Sequence, residues 1–291
     1  MRVMSYRDKI ERCNDRALAN HSRFVIEDRT VGWIAPHRVE ALAALKLDCL
    51  SITSDGVRVA QHLDTPERRA QALGMVAPDI VASGGFAKLQ DEPYPIKNDW
   101  RDATLGQIDR GLAPGFGIRA YGVHLNGYVR TPRGLSLWMG VRSRERRVAP
   151  GQFDNLVAGG QPAHLSLEDN LIKECAEEAG IGPELAARAR PAGAIRYAFT
   201  TKDGLRNDTM FCFDLELPPG VQPVSVDGEV ERFELIPLDD VMAMVRSTDR
   251  IKFNVNLVLI DFALRHGAIG DHHAAERAAL AAALNNPLPM D

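Results

Sequence analysis

From Ile118 onward the chain is a series of strand-length apolar runs cut by Gly/Pro turns, interrupted by one sharply bounded helix. IRAYGVHLNGYVR and LSLWMGVRS flank a TPRG turn and read as an antiparallel hairpin, and AGAIRYAFTT, DTMFCFDLEL and EVERFELIPL follow as further strands. Helical spacing of apolar residues predicts helices over 167–179, 239–246 and 255–265. Sheet, helix, sheet, helix in that order excludes a repeating βαβ wind and predicts an α+β fold or an α/β/α sandwich.

The preceding residues read differently. RFVIEDRTVGWIAP is a hairpin candidate, HRVEALAALKLDCLSI has helical periodicity, and Thr65 before Pro66 marks a helix start. The Pro-, Gly- and charge-rich stretch QDEPYPIKNDWRDATLGQIDRGLAPGFG is the linker candidate. The division expected is a smaller α+β domain over 1–116, the sandwich over 117–270, and a C-terminal helix and tail over 271–291. With 291 residues, 45% of them hydrophobic, either unit can bury a core.

Charge narrows the partners. Thirty-five basic against 39 acidic residues leave a net charge of −4, with no basic stripe and 6% aromatics, so neither nucleic acid nor a membrane surface is expected as a partner. No apolar run approaches the roughly 20 residues a bilayer needs, and MRVMSYRDKIERCNDRALAN lacks a signal peptide's apolar core; a cytoplasmic location is expected. Cys13, Cys49, Cys175 and Cys212 lie far apart without a CxxC pair, which reads as reduced, buried thiols rather than a zinc ribbon or disulfide scaffold.

Chemistry concentrates in KECAEEAGI. Glu174, Glu177 and Glu178 stand at i, i+3 and i+4, which puts them on one helix face with the spacing of a metal cage, opposite Ile172, Cys175, Ala176 and Ala179. Ser166 and Asp169 suit the helix start and Gly180 its end. Hard oxygen ligands favour Mg²⁺, which binds substrate phosphates. The competing reading of these residues alone is a solvated acidic face with a Lys173–Glu177 pair.

Residues 159–181 resemble the signature of the Nudix hydrolases, GX5EX7REUXEEXGU with U apolar. Gly159 takes the first glycine, Lys173 the Arg position, Glu174 its Glu, Cys175 the U, Glu177 and Glu178 the EE pair, Gly180 the last glycine and Ile181 the closing apolar residue. Leu165 occupies the first Glu position and cannot bind a metal, and Lys173 lacks the guanidinium fork. DNLVAGG, IKECAEEAGI and DGEVERFELIPLDDV look like the Nudix proteins related to the domain fused to thiamine pyrophosphokinase in fungi, with RFVIEDRTVGWIAP and FGIRAYGVHLNGYV resembling that subgroup's N-terminal extension.

The resemblance implies a mixed sheet within the α/β/α sandwich and a Mg²⁺-dependent diphosphatase of a small phosphorylated substrate, chiefly thiamine diphosphate or its oxo and oxy forms. It implies Glu174, Glu177 and Glu178 as metal ligands, leaves the general base open among Glu177, Glu229 and Glu231, and admits a homodimer. Arg142, Arg144, Arg146 and Arg147 offer forks for a diphosphate, against a solvated basic loop. Asn155, Ala158 and Gly159 precede the helix and offer close backbone approach, against an ordinary turn. Trp138, Tyr197 and Phe199 offer rings to a heterocycle, against core packing. Asp271-His272-His273 reads as a helix start rather than a phosphoesterase motif, and His124 and His164 are isolated. Two other readings stand beside the first: the same chemistry on a nucleotide sugar, dinucleotide or nucleoside triphosphate, and a ligand-binding protein that hydrolyses slowly because Leu165 replaces a glutamate.

Overall fold

A computed structural model describes residues 5–269, 274–288 and 290. Ser5 and Asp8 form a reciprocal capping box that starts α1 (Tyr6–Arg12). The next four strands make one sheet in the order β2-β1-β4-β3: β1 (Ser22–Ile26), β2 (Arg29–Ile34), β3 (Leu50–Thr53) and β4 (Gly56–Val59). Two helices belong with it, α2 (Pro36–Leu45) and α3 (Pro66–Ala82), the second begun by the Thr65 hydroxyl accepting from the Arg68 N–H. Phe24, Ile26, Leu42, Val57, Leu73 and Ile80 form the shared core.

The expected linker is folded instead. It carries β5 (Pro93–Ile96) and β6 (Gly106–Asp109), paired antiparallel, and the short helix α4 (Ala113–Phe116). Ile96, Ile108, Leu112 and Phe116 enter the same core, while Pro93 and Pro95 are accommodated because a two-stranded ribbon leaves each strand one free edge. Composition marked this stretch as a linker; the burial of Tyr94, Ile96 and Ile108 overrules it.

The second unit is a seven-stranded sheet. Its strands are β7 (Arg119–Thr131), β8 (Gly134–Arg142), β9 (Phe153–Asp154), β10 (Val157–Gly160), β11 (Arg190–Thr201), β12 (Gly204–Glu216) and β13 (Val230–Pro237). The main path runs β11-β12-β7-β8-β13, with β10 on β7 and β9 on β8. β12 pairs parallel to β7 and the remaining pairs are antiparallel, so the sheet is mixed as expected.

Side chains alternate between its faces. One face, with Val123, Leu125 and Val157, packs on α5 (Leu167–Ala179), followed by the single turn α6 (Pro183–Ala186). The other, with Leu137, Met139 and Val141, packs on α7 (Leu238–Ser247) and α8 (Val255–Arg265). α9 (Ala274–Ala283) lies over that layer, as does α1, whose Ile10 joins the same core and whose neighbour Lys9 donates to the Thr248 carbonyl at 2.7 Å. The result is the α/β/α sandwich. Among the described residues no helix is long and apolar enough to cross a membrane; Asp271, His272 and His273 lie outside the described residues.

Candidate active site

α5 begins where Ser166 accepts the Asp169 N–H at 3.0 Å, and the Ser166 hydroxyl donates to the Asp169 carboxylate at 2.6 Å. It ends at Gly180, whose φ of 63° is the left-handed conformation that glycine adopts without strain. Two amides, Gln161 and Asn170, tie its entry loop to the sheet. Asn170 donates to the Gly160 carbonyl at 2.8 Å and to Gln161 at 3.1 Å, while Gln161 donates to the Leu165 carbonyl at 2.8 Å. Both are fully buried, and a polar residue within an otherwise apolar stripe was the available signal for Asn170.

The three carboxylates do not share one outward face. The buried side of α5 is Asn170, Leu171, Cys175, Glu178 and Ala179, whereas Ala176 is exposed and Ile172 half-buried. At about 100° per residue, Glu177 and Glu178 must diverge, and Glu178 falls beside Ala179. Its carboxylate accepts the Ala158 N–H at 3.0 Å. Glu174 faces Gly159 so closely that a Cβ there would collide with its carboxyl carbon. Glu177 is half-exposed, and Lys173 reaches back to it at 2.6 Å and to Glu174 at 3.2 Å.

Burial pushes the Glu178 carboxyl up to about 8, with the charges of Glu174, Asp154 and Glu229 adding to the rise and the Ala158 N–H opposing it. Burial also raises Glu174, against the pull of Lys173. A buried and a half-buried carboxyl one turn apart, each held above its ordinary range, form a hard-oxygen donor set whose repulsion a divalent cation would relieve. Among the described residues no three His, Cys, Asp or Glu side chains converge on one point. The pair still fits Mg²⁺, which uses one or two carboxylates and keeps waters for its other positions.

Beside this pair opens a cavity of about 490 Å³. The sandwich supplies Gly159, Gly160, Arg142, Arg206, Asp208 and Lys252; Tyr94 and Arg110 close it from the amino-terminal unit. Arg142 donates to Asp154 at 2.6 Å and Lys252 donates to the same carboxylate at 2.9 Å. Burial works to raise Asp154, but Lys252 and Arg142 outweigh it and hold the carboxyl down to about 2. Tyr197 lines the cavity and donates to Asp208 at 2.7 Å. Glu174 and Glu178 do not line this cavity themselves but adjoin it through Ala158 and Gly159, which they contact; a larger cleft of about 1040 Å³, lined by Arg188, Arg190 and Glu216, shares no residue with it.

The remaining expected residues separate. Glu229 lines the cavity, ion-paired with Arg146, whereas Glu231 is exposed beside Arg232 and outside it. Arg144 is exposed and outside. Asn155 is buried behind the wall, bonded to His124 at 2.9 Å and donating to Asn126 at 2.9 Å. Burial and the Lys252 charge pull that histidine down to about 4, so it stands neutral. Phe199 packs on Phe253 at 5.1 Å, and Trp138 joins the core beneath α5, so neither offers a ring to the cavity. Tyr94, Arg110, Arg206 and Lys252 were not singled out by the sequence, each being isolated along the chain, and Asp154 stood only as the first residue of DNLVAGG.

A family model described as "Domain of unknown function (DUF4743)" matches residues 5–120. The chain is 38% identical over 273 residues to Nudix hydrolase 20, chloroplastic, of Arabidopsis thaliana, covering 90% of this chain and 73% of that protein. It is 38% identical over 271 residues to Nudix hydrolase 24, chloroplastic, of the same plant, covering 92% and 74% respectively. Among solved structures, DR0079 from Deinococcus radiodurans aligns with a TM-score of 0.44 at 20% identity, over 58% of this chain and 97% of that one.

Proposed function

Because the chain belongs to the Nudix hydrolase family and is a hydrolase of acid anhydrides, we propose that it is a Mg²⁺- or Mn²⁺-dependent diphosphatase. Its substrate is a diphosphate linked to an organic moiety, with thiamine diphosphate or its oxo and oxy forms first among them and the monophosphate as product. The observation that carries this reading is Glu178: buried, fixed on the Ala158 N–H and paired with Glu174 at the edge of a cavity lined by guanidinium groups.

Glu174 and Glu178 would hold the cation. When bound, it spreads the charge that builds on the phosphoryl oxygens and makes a water more acidic. Glu178 must give up its proton to bind it, so cation and proton compete for that carboxyl. Gly159 lets Glu174 lie against the strand, and Lys173 fixes Glu174 and Glu177 relative to each other. Glu229 is the general base we favour, since it faces the cavity while Glu231 does not. Arg142, locked by Asp154, presents a rigid positive wall to the diphosphate. The thiamine assignment rests on DNLVAGG, IKECAEEAGI and DGEVERFELIPLDDV and their likeness to the thiamine-linked subgroup. A cytoplasmic setting suits four thiols that are all free and buried.

Product release from thiamine diphosphate, its oxo form, ADP-ribose, a dinucleoside polyphosphate and a nucleoside triphosphate tests the proposal. Metal-dependent turnover concentrated on the thiamine compounds is expected, and Glu178→Gln should lower it at least about 100-fold. Turnover on another compound would retain the diphosphatase and discard thiamine; tight binding without turnover would favour the ligand-binding reading that Leu165 raises.

A further inference from the structure

We infer that the amino-terminal unit supplies half of an anion site: Tyr94 and Arg110 bind the phosphate that stays with the organic product. This rests on the diphosphatase reading and assigns the substrate's second phosphate a place within the same cavity.

Tyr94 is only 4% exposed, yet its hydroxyl has no hydrogen-bond partner among the described residues. That oxygen lines the cavity and points at Gly160, where a Cβ would collide with it and would lie 3.4 Å from the guanidinium carbon of Arg110. The ring is buried but the hydroxyl opens into the cavity, so its donor is available to a group bound there. Arg110 sits over the Tyr94 ring at 5.7 Å and is steadied from behind by Glu92 at 2.6 Å. Across the cavity stands Arg206, close enough that the two positive charges act on each other.

The chemistry of these groups selects the ligand. Burial raises the Tyr94 phenol, which therefore keeps its proton and can donate, and guanidinium groups only donate. The Gly160 carbonyl accepts from Asn170. The Tyr94 hydroxyl and the Arg110 and Arg206 guanidiniums bring donors and positive charge to one cavity whose Glu92 and Asp208 are already paired with those arginines, which suits phosphoryl oxygens. Arg110 lies over one face of the Tyr94 ring, so what this pair presents is charge and a hydroxyl donor.

Position links this site to the carboxylates. Gly159 and Gly160 are consecutive on β10, so Glu174 and the Tyr94–Arg110 pair meet the strand's end from its two sides. Glu229 acts electrostatically on both Glu174 and Arg110. One end of a diphosphate at the carboxylates thus brings its neighbouring phosphate to Gly160.

The full chain is compared with Tyr94→Phe, Arg110→Lys and Arg110→Gln. Inorganic pyrophosphate is titrated calorimetrically in EDTA, so that neither metal nor turnover enters, and steady-state kinetics are run on thiamine diphosphate with Mg²⁺. Arg110→Gln should weaken pyrophosphate binding by about tenfold or more and raise KM with less effect on kcat, with Arg110→Lys intermediate because it keeps charge without the fork. Tyr94→Phe should weaken binding by about threefold, the range of one lost hydrogen bond. Pyrophosphate affinity and KM within twofold of wild type in both Arg110→Gln and Tyr94→Phe would overturn the inference while leaving the diphosphatase intact. Variant-sensitive pyrophosphate binding in a protein that hydrolyses none of the substrates would do the reverse. If Arg110→Gln melts early, Tyr94→Phe, which deletes one unpartnered oxygen, decides alone.

Discussion

The two helices that close the sheet from opposite sides are built on different terms. In α8 eight of eleven residues are buried, including Val255, Leu257, Val258, Leu259, Ile260 and Phe262, and α1, α7 and α9 pack around it. A helix apolar nearly all round must be covered on every side. α5 buries a narrow stripe through Leu171, Cys175 and Ala179 and spends one buried position on Glu178, a carboxyl whose charge the site disfavours. Packing is thus concentrated in α8 and the carboxylate chemistry in α5, and substitutions on or beside the two helices should sort accordingly.

The largest effect is expected at Phe262→Ala, about 3–5 kcal/mol lost in chemical denaturation. A smaller loss would mean that α8 is less committed to packing than its burial implies. Asp154→Asn should follow, at about 3–5 kcal/mol or somewhat less, because it leaves Arg142 and Lys252 facing each other unpaired. Its pH signature is specific. With a carboxyl held at about 2 instead of the ordinary 3.8, Asp154 stabilises the fold above pH 3.8 and loses that contribution as pH falls toward 2. Melting curves over pH 2–5 should show this acid limb in the wild type and a flatter one in the variant.

On the α5 side activity should fall before stability does. Gly159→Ala places a methyl group against Glu174 and should lower turnover by about 100-fold while the melting temperature changes little. A matching collapse of both would erase the distinction between the two sides. Ser166→Ala removes the helix cap and should cost about 1 kcal/mol by denaturation, the smallest change of the set.

What the sequence disclosed follows from how local each signal is. The bounds of α5 and α8 were readable because Ser166, Gly180 and the apolar spacing act within a turn or two, and the β7–β8 hairpin because alternation brackets a short turn. The inward turn of Glu178 was half-readable: its 100° offset from Glu177 is geometry, but the Ala158 N–H that donates to its carboxylate comes from β10. The folding of β5 and β6 was hidden by prolines whose tolerance depends on a free strand edge. Glu229 could not be ranked above Glu231 because that choice is set by where the chain enters the sheet. Tyr94 and Arg110 carry no motif; only tertiary approach to Gly160 distinguishes them.

The placement of α1 has a consequence for dissecting the molecule. Ile10 and Cys13 sit in the sandwich's own core although the four-stranded sheet intervenes before β7. The path runs out from the sandwich and back, so the first sheet is nested as an internal excursion. Cutting away everything before Ile118 removes α1 from the remainder and opens the core beside α8. A separable catalytic half would instead require excising an internal span and rejoining the chain between α1 and β7.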